Sequence, residues 1–336
     1  MTASGKLKVA LIGTGNQGLE HLLPALRRCS SIEVTFVISR LLDSAKAVST
    51  EWGVGRYGNS WEAMLEDFDC PDAIVIAVNP ELHQSVAKVA LEQGKSIFVE
   101  KPPAVGLNAL KSLCEIEAKS SSVAFVGYNF AFSEQYKKAL EIANQRGGIA
   151  SADYRFVSSK PTSPGTYEGI IERLVWDTLI HPANLATRAL GQIASTDARL
   201  LKVNSDNYSI LVTTIHKIGS VSHIEVGNYH NRFQFDVRFV THDGTTIEID
   251  GLRDIEISYG KGHVPSVGSK EVILYQYPIR RDSSQITGYL PALKEFFKSV
   301  ATCSPSKSSL ADSVTTYELL EAVLTQIQLN QGGTTS

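Results

Sequence analysis

Short apolar runs alternate with amphipathic segments along the first part of the chain. The runs 7–12, 32–38, 73–78 and 96–99 are continuous and rich in β-branched residues. Such runs are typical of strands that are buried on both faces of a parallel sheet. The segments between them have helical spacing, so the pattern predicts right-handed βαβ crossovers and a doubly wound parallel sheet.

Beyond about residue 150 the pattern changes to longer segments in which apolar and polar residues alternate. This period of two is typical of strands with one buried and one solvated face, as in an antiparallel sheet. The segments are 152–159, 195–203, 208–216, 220–229, 232–242 and 245–250. Helical periodicity then returns at 290–300 and 310–328.

The change of pattern and the length of 336 residues predict an α/β protein of two domains. The first, residues 1–128, is a dinucleotide-binding Rossmann domain with a doubly wound parallel sheet. The second, residues 129–330, is an α+β domain with a large open, mostly antiparallel sheet. We expect its final helices to pack back on the first domain.

A glycine motif directly follows the first predicted strand and opens a helix-forming segment. Its residues are Gly13, Thr14, Gly15, Asn16, Gln17 and Gly18, which read G-x-G-x-x-G. The first glycine permits a tight turn, the second lets backbone N–H groups approach phosphates, and the third allows close helix–strand packing. Because a helix N-terminus attracts phosphate, the motif predicts a dinucleotide pyrophosphate site.

The second predicted strand ends in Ser39 and Arg40, where a doubly wound fold meets the adenosine ribose. A carboxylate there would repel a 2′-phosphate, whereas a hydroxyl and a guanidinium suit one. The pair therefore favours NADP(H) as cofactor and makes NAD(H) less favoured. A solvated Arg40 with no such role is the alternative, and the nearby Asp43 keeps that alternative open.

Two further strand ends complete the predicted crevice, because ligands gather at the carboxyl ends of parallel strands. Asn79 and His83 follow the third run of this series, and Glu100 and Lys101 close the fourth. We expect these four side chains to line one cofactor site together with the glycine motif, Ser39 and Arg40.

Composition narrows the classes of partner. The chain is 43% hydrophobic and 20% charged, with a formal net charge of −3, so it has the means to build cores and no electrostatic reason to bind nucleic acid. No stretch has the length of a membrane span, and we expect a cytoplasmic protein. The scattered cysteines and histidines lack metal-ligand spacing, so we predict no metal site.

The segment Glu100-Lys101-Pro102, together with the glycine motif, resembles the glucose-fructose oxidoreductase / inositol dehydrogenase / rhizopine catabolism protein (Gfo/Idh/MocA) family of NAD(P)-dependent oxidoreductases. The resemblance implies that Lys101 lies beside the nicotinamide and the reacting carbon. Asp177 and His181 resemble the family's D-x-x-x-H pair and inherit its catalytic roles. Asn129, in a stretch that fits the family pattern, is a further cofactor contact. The resemblance also implies that the second domain, residues 129–330, binds the substrate and forms oligomers: its open sheet face would be a subunit interface in a homodimer or homotetramer.

The chemistry of these residues is sensible without the family. Residues four apart lie on one face of a helix, so Asp177 and His181 can face one cavity. Carbonyl reduction needs a proton donor for the developing oxyanion. We favour His181 as that donor and acceptor, with Asp177 orienting it and Lys101 polarising the oxygen or sharing the proton; which of Lys101 and His181 holds the proton stays open.

Three departures from the family pattern fall on substrate-facing positions. Val78-Asn79-Pro80 stands where many members carry threonine and asparagine, Ala131 replaces an arginine, and Glu172-Arg173-Leu174 replaces glycines. The reaction type is unaffected by these changes, and the small-molecule substrate stays open.

The leading hypothesis is an NADP(H)-dependent oxidoreductase that acts on a sugar, keto-sugar or cyclitol. An NADPH-dependent imine or enamine reductase in a secondary-metabolite pathway is the first alternative, because the same acid would protonate nitrogen. A cofactor-binding sensor without catalysis is the second.

Overall fold

The computed structural model describes residues 5–159, 167, 169–259, 271–275 and 283–332. The chain divides into two units, of which the first contains residues 1–129 and 288–314 and the second contains residues 130–287 and 315–336. The predicted second domain is therefore not contiguous, because 288–314 leaves it for the first unit.

The strands alternate with helices in the first unit and follow one another in the second. They are β1 Leu7–Ile12, β2 Ile32–Ile38, β3 Arg56–Gly58, β4 Ala73–Ile76, β5 Ser96–Glu100, β6 Ala124–Gly127, β7 Ile149–Val157, β8 Ile193–Lys202, β9 Tyr208–His216, β10 Val221–Gly227, β11 Gln234–Thr241, β12 Thr246–Asp250, β13 Asp254–Tyr259 and β14 Glu271–Tyr275. The alternating pattern did not predict β3, β13 and β14, which are short or end a meander.

The α-helices vary from single turns to five turns. They are α1 Leu23–Leu26, α2 Leu42–Trp52, α3 Trp61–Leu65, α4 Pro80–Glu92, α5 Leu107–Glu117, α6 Glu134–Gln145, α7 Ile170–Arg173, α8 Ile180–Leu190, α9 Ser283–Ile286, α10 Tyr289–Thr302 and α11 Val314–Gly332. Short 3-10 turns occupy Asn129–Phe132 and Ala311–Ser313.

The first unit contains a six-stranded parallel sheet in the order β3-β2-β1-β4-β5-β6. Every residue of β4 and β5 is buried, as expected where helices cover both faces. The order reverses between β1 and β4, and this is the switch point at which Rossmann folds bind nucleotides. The predicted doubly wound parallel sheet is confirmed.

The helix α10 belongs to the first unit because its aromatic side chain joins the core of that sheet. The Phe296 ring packs edge-on against Phe98 and Phe125, with ring centroids 5.9 and 6.0 Å away. Phe296 has no exposed surface. The later helix α11 lies almost wholly in the second unit, so one of the two predicted returning helices joins the first unit.

The second unit contains an eight-stranded sheet in the order β14-β13-β12-β11-β7-β10-β9-β8. All neighbouring strands are antiparallel except β7 and β10, which are parallel. Burial alternates along β9, β11 and β12, so one face of each strand is covered and the other is not. The predicted large, mostly antiparallel sheet is confirmed.

Two π-helical turns replace α-helix at sites that the sequence marks as helical. They are Gln17–Leu22, which leads into α1, and Leu174–Leu179, which leads into α8. Pro24 and Pro182 follow within three residues. A proline cannot donate to the carbonyl four residues earlier and its ring clashes with it, so the wider turn accommodates the proline. Asp177 and His181 therefore straddle a π-to-α junction rather than one α-helical face.

Among the helices of the described ranges, none combines the length and hydropathy that a membrane span requires.

Candidate functional site

The glycine motif forms a close-packed turn with one open corner. Gly13 has φ +109°, and a Cβ on it would lie 2.0 Å from the Ala77 carbonyl oxygen. A Cβ on Gly18 would lie 2.2 Å from the Gly13 carbonyl oxygen. At Gly15, which is exposed, a Cβ would meet no atom within 4 Å. The turn is thus packed on its protein side and leaves room at Gly15 for a ligand to approach the backbone.

Hydroxyl groups connect this turn to the end of β2. The Thr14 Oγ1 lies 2.6 Å from Ser39 Oγ and 3.3 Å from Ser44 Oγ. Ser39 is buried, whereas Arg40 is exposed. The structure therefore brings the glycine turn and the predicted ribose position together, with the guanidinium of Arg40 on the surface beside them.

His83 differs from the predicted cofactor contact, because backbone groups hold both of its ring nitrogens. Nε2 accepts a hydrogen bond from the Val78 N–H at 3.0 Å, and Nδ1 lies 2.9 Å from the Pro102 carbonyl oxygen. Only 2% of the residue is exposed. Asn79 is exposed and caps α4, since its Oδ1 accepts from the Leu82 N–H at 3.2 Å.

Glu100 ends β5 as a buried carboxyl group next to the glycine motif. Gln17 hydrogen-bonds both this carboxyl and the hydroxyl of Tyr289 on α10. Burial raises the pKa of Glu100 to about 7, and the charge of Lys101 opposes that rise. Its Oε1 has no hydrogen-bond partner among the described residues. The opposite residue on β6 is Gly127, where a Cβ would lie only 3.0 Å from that oxygen.

Lys101 follows β5 directly and is half-buried. Asn129 begins the turn after β6 and is almost fully buried, with 1% exposed. Both residues belong to the first unit, at the same edge of the parallel sheet as the glycine motif.

In the second unit, His181 lies among aromatic rings. Its imidazole stacks on Phe156, with ring centroids 5.6 Å apart and an interplanar angle of 6°, and meets Phe130 at 4.8 Å and 67°. Phe235 and Phe233 pack against Phe156 at 5.0 and 5.1 Å. His181 is 8% exposed, whereas Asp177 is exposed. The imidazole therefore has an apolar wall on one side and a carboxylate one turn earlier.

Tyr289 and the four phenylalanines around His181 were not predicted as site residues. Tyr289 lies 272 positions from Gln17 in the chain, and no local pattern joins two such positions. The spacing of Phe233 and Phe235 could have predicted that their rings lie on the same side of the chain, because residues two apart in a strand share one face.

Within the parts of the chain that the structure describes, no three His, Cys, Asp or Glu side chains cluster as ligands for a metal ion.

A parallel sheet in this strand order, with an open glycine turn after its first strand, defines a dinucleotide-binding protein. Residues 7–128 match the model of a family described as an oxidoreductase family with an NAD-binding Rossmann fold. This match covers the part of the chain that forms the parallel sheet, and it agrees with the resemblance to the Gfo/Idh/MocA family that Glu100-Lys101-Pro102 and the glycine motif carry.

The similar proteins include enzymes and solved structures. Inositol 2-dehydrogenase of Salmonella typhimurium is 26% identical over 212 residues, which are 62% of this chain and 61% of that enzyme. The chain thus spans less than two thirds of the length of the first curated relatives that it matches. The structure of a dehydrogenase from Chromobacterium violaceum has a TM-score of 0.91 at 23% identity and covers 98% of this chain and 97% of its own. Levoglucosan dehydrogenase in complex with NADH and L-sorbose has a TM-score of 0.81 at 17% identity, covering 96% and 97%.

Proposed function

We propose that this protein is an NAD(P)-dependent dehydrogenase or reductase that acts on a small polar substrate such as a sugar, keto-sugar or cyclitol. The observation that carries this proposal is the carboxyl edge of the first unit's sheet. There the open corner at Gly15, the exposed Arg40 and the half-buried Lys101 follow three strands of one sheet.

The residues at this edge fit a nicotinamide dinucleotide. The turn at 13–18 would hold the pyrophosphate, since its one open corner exposes backbone without a side chain. Ser39 and Arg40 would meet the adenosine ribose. The nicotinamide side would be lined by Asn79, Glu100, Lys101 and Asn129. There the buried Oε1 of Glu100, which has no hydrogen-bond partner among the described residues, could accept a hydrogen bond from the cofactor. When bound, such a cofactor supplies or accepts a hydride.

The chain's own residues would handle the proton and the substrate oxygen. We assign proton donation and acceptance to the imidazole of His181, because an imidazole side chain can both give and take a proton in acid–base catalysis. Asp177 would orient that imidazole and the substrate hydroxyls. The ammonium group of Lys101 would polarise the reacting oxygen or share its proton.

The substrate class is supported by relatives and by the surroundings of His181. Similar proteins include inositol 2-dehydrogenases and levoglucosan dehydrogenase. The rings of Phe130, Phe156 and Phe233 near His181 form an apolar surface. The C–H face of a saturated six-membered ring is apolar while its hydroxyls are polar, and such a ring could stack there.

A preference for NADP(H) over NAD(H) is the finer part of the proposal. It is supported by Ser39 and the exposed Arg40, because a guanidinium binds a phosphate with charge and fork geometry together. The similar levoglucosan dehydrogenase was solved with NADH, so this preference rests on the residues of this chain alone.

The test is a matrix of both cofactors against a substrate panel, followed by absorbance of the reduced nicotinamide. The panel contains myo-inositol, levoglucosan, an aldohexose, a keto-sugar and a cyclic imine. We expect turnover of a cyclic polyol and a higher kcat/KM with NADP(H) than with NAD(H), which Arg40→Ala reduces about tenfold or more. If only the imine were turned over, the polyol substrate class would be rejected in favour of an imine reductase. Equal or better use of NAD(H) would reject the cofactor preference.

We also propose that the protein forms a homodimer or homotetramer through the open face of the second unit's sheet. A concavity of about 590 Å³ lies on this face, across β9, β10, β7, β11 and β12. Two ion pairs line it, with Arg155 3.2 Å from Glu225 and Arg238 3.2 Å from Glu248. Leu211 is 39% exposed beside them. Apolar and paired charged groups on one broad face are typical of surfaces that bury each other.

A further inference from the structure

The contacts of His83 determine its protonation state. A backbone N–H can only donate, so the nitrogen that faces Val78, Nε2, carries no hydrogen. A carbonyl oxygen can only accept, so Nδ1 carries the hydrogen and donates it to Pro102. The ring is therefore a neutral imidazole with one assigned tautomer.

The surroundings keep the ring neutral. Burial, with a smaller contribution from the positive charge of Lys101, lowers the pKa of His83 to about 4, although the hydrogen bond to Pro102 opposes the change. A group of this pKa does not carry a proton at neutral pH. His83 is thus unsuited to acid–base catalysis, and its tightly bonded nitrogens leave none for a cofactor.

The two backbone groups that His83 joins belong to two functional segments. Val78 follows Ala77, whose carbonyl oxygen fills the space beside Gly13. Pro102 follows Lys101 directly. One buried ring therefore holds the turn that backs the glycine motif and the segment that carries the lysine, although the chain separates these segments by more than 20 residues.

We infer that His83 is a positioning residue for Lys101, which it holds at a fixed place relative to the glycine turn through its bonds to Val78 and Pro102. The inference rests on the proposed function, since Lys101 must act in catalysis for its place to matter. A displacement of about 1 Å in such a group can reduce a rate about 100-fold.

The test compares His83→Phe with a matched control, His216→Phe, in the second unit. His216 is also buried, with 1% exposed, and its ring nitrogens also bond, at 3.1 Å to the Gly191 carbonyl oxygen and 3.0 Å to Ser222 Oγ. Both variants replace the imidazole with an aromatic ring that makes no hydrogen bonds. Measurements are the dissociation constant for reduced cofactor, kcat per folded molecule, and the primary isotope effect with cofactor deuterated at C4.

We expect both substitutions to lower thermal stability, and only His83→Phe to lower kcat, by about 10- to 100-fold. The isotope effect on kcat should rise in that variant, because a displaced lysine slows the chemical step. A variant that is only less stable would show an unchanged isotope effect. The isotope effect therefore separates a positioning role from simple support of the fold.

His83→Asn and His83→Gln keep the inference testable if the Phe variant does not fold. An asparagine amide nitrogen can replace the Nδ1 donor to Pro102, while the glutamine oxygen can replace the Nε2 acceptor for Val78. We expect Asn to restore more kcat than Gln, since Pro102 adjoins Lys101.

Two results would overturn the inference alone: kcat and isotope effect unchanged in His83→Phe, or an equal fall in kcat in His216→Phe. A wild-type protein that binds cofactor and turns over substrate would leave the proposed function standing in both cases. A wild-type protein that binds neither cofactor would overturn the proposed function, and this inference with it.

Discussion

The two sheets of this protein differ in how much of their surface is buried. In the first unit the central strands β4 and β5 are buried at every position, and the functional groups that we propose lie where the strands end. In the second unit burial alternates along the strands, so one face packs inward and the other presents side chains along its whole length. A parallel sheet covered on both faces has only its edges for chemistry, whereas a half-covered sheet has a complete surface.

This difference divides the tasks that we propose. The edge of the first sheet concentrates backbone N–H groups and single side chains, which suits a phosphate-rich cofactor. The covered face of the second sheet holds the aromatic surroundings of His181, and its open face holds paired charges and exposed leucine. The second unit can thus serve a substrate on one side and another subunit on the other.

The strongest test of this division removes one chemical group from each unit. We expect Lys101→Met and His181→Ala each to lower kcat about 1000-fold, because each removes charge or proton transfer from the reacting oxygen. The measurement is kcat under saturating cofactor and substrate. If only one of the two variants loses activity, the chemistry belongs to one unit and the comparison fails.

Exposed residues of the same types provide the controls for that test. Lys111→Met on α5 and His242→Ala after β11 change exposed side chains, so we expect kcat in both to remain within about twofold of the wild type.

Two substitutions in the glycine turn should separate its role in packing from its role in cofactor binding. Gly13→Ala places a methyl group 2.0 Å from the Ala77 carbonyl oxygen at φ +109°, and we expect it to lower the free energy of unfolding by about 3 kcal/mol. Gly15→Ala has open space for its methyl group, so its stability should stay within about 0.5 kcal/mol while cofactor affinity falls. Urea unfolding and cofactor titration measure these effects; an unchanged affinity in Gly15→Ala would place the pyrophosphate elsewhere.

Two buried groups of the first unit should give that unit stability changes of opposite sign with pH. The pKa of His83 is lowered from 6.5 to about 4, mainly by burial and also by Lys101, while Glu81 opposes the shift. Its neutral form therefore contributes stability above pH 6.5 that is lost as the pH falls through about 4. The pKa of Glu100 is raised from 4.5 to about 7, so its stability is present below pH 4.5 and lost as the pH rises through about 7.

Each shift corresponds to roughly 3 kcal/mol over its window. Between pH 4.5 and 6.5 the two slopes should largely cancel in the wild type. His83→Phe should leave stability falling as the pH rises, and Glu100→Gln should leave it falling as the pH drops. Unfolding free energies at several pH values measure the slopes, and parallel curves for the two variants would contradict both assignments.

The open face of the second sheet should determine the oligomeric state. Leu211→Asp adds a negative charge beside Glu225, its partner on the neighbouring strand of that face, and we expect it to weaken self-association about 30-fold, or about 2 kcal/mol. Light scattering over a concentration series measures the change. The control is Phe68→Asp in the first unit, where the side chain is fully exposed. A wild-type monomer at micromolar concentration would remove the proposed interface.

The chain pattern alone was sufficient for both sheets and for the phosphate turn. Apolar runs, alternating segments and the glycine motif depend on neighbours in sequence, and local rules of burial and backbone geometry act on such neighbours directly. The strands at 208–216 and 245–250 are therefore found at or within one residue of their predicted bounds. The resemblance to the oxidoreductase family followed from Glu100-Lys101-Pro102 for the same reason, and the family model matches residues 7–128.

Only the tertiary structure decided what individual polar side chains do. His83 follows Asn79 by four residues, yet its ring bonds to the backbone at Val78 and Pro102, and Tyr289 bonds to Gln17 from 272 positions away in the chain. Residues 288–314 likewise belong to the first unit because Phe296 packs against Phe98 and Phe125 in the core of its sheet. Spacing in sequence constrains the backbone, but the partner of a side chain depends on which distant segments the fold brings within hydrogen-bond distance.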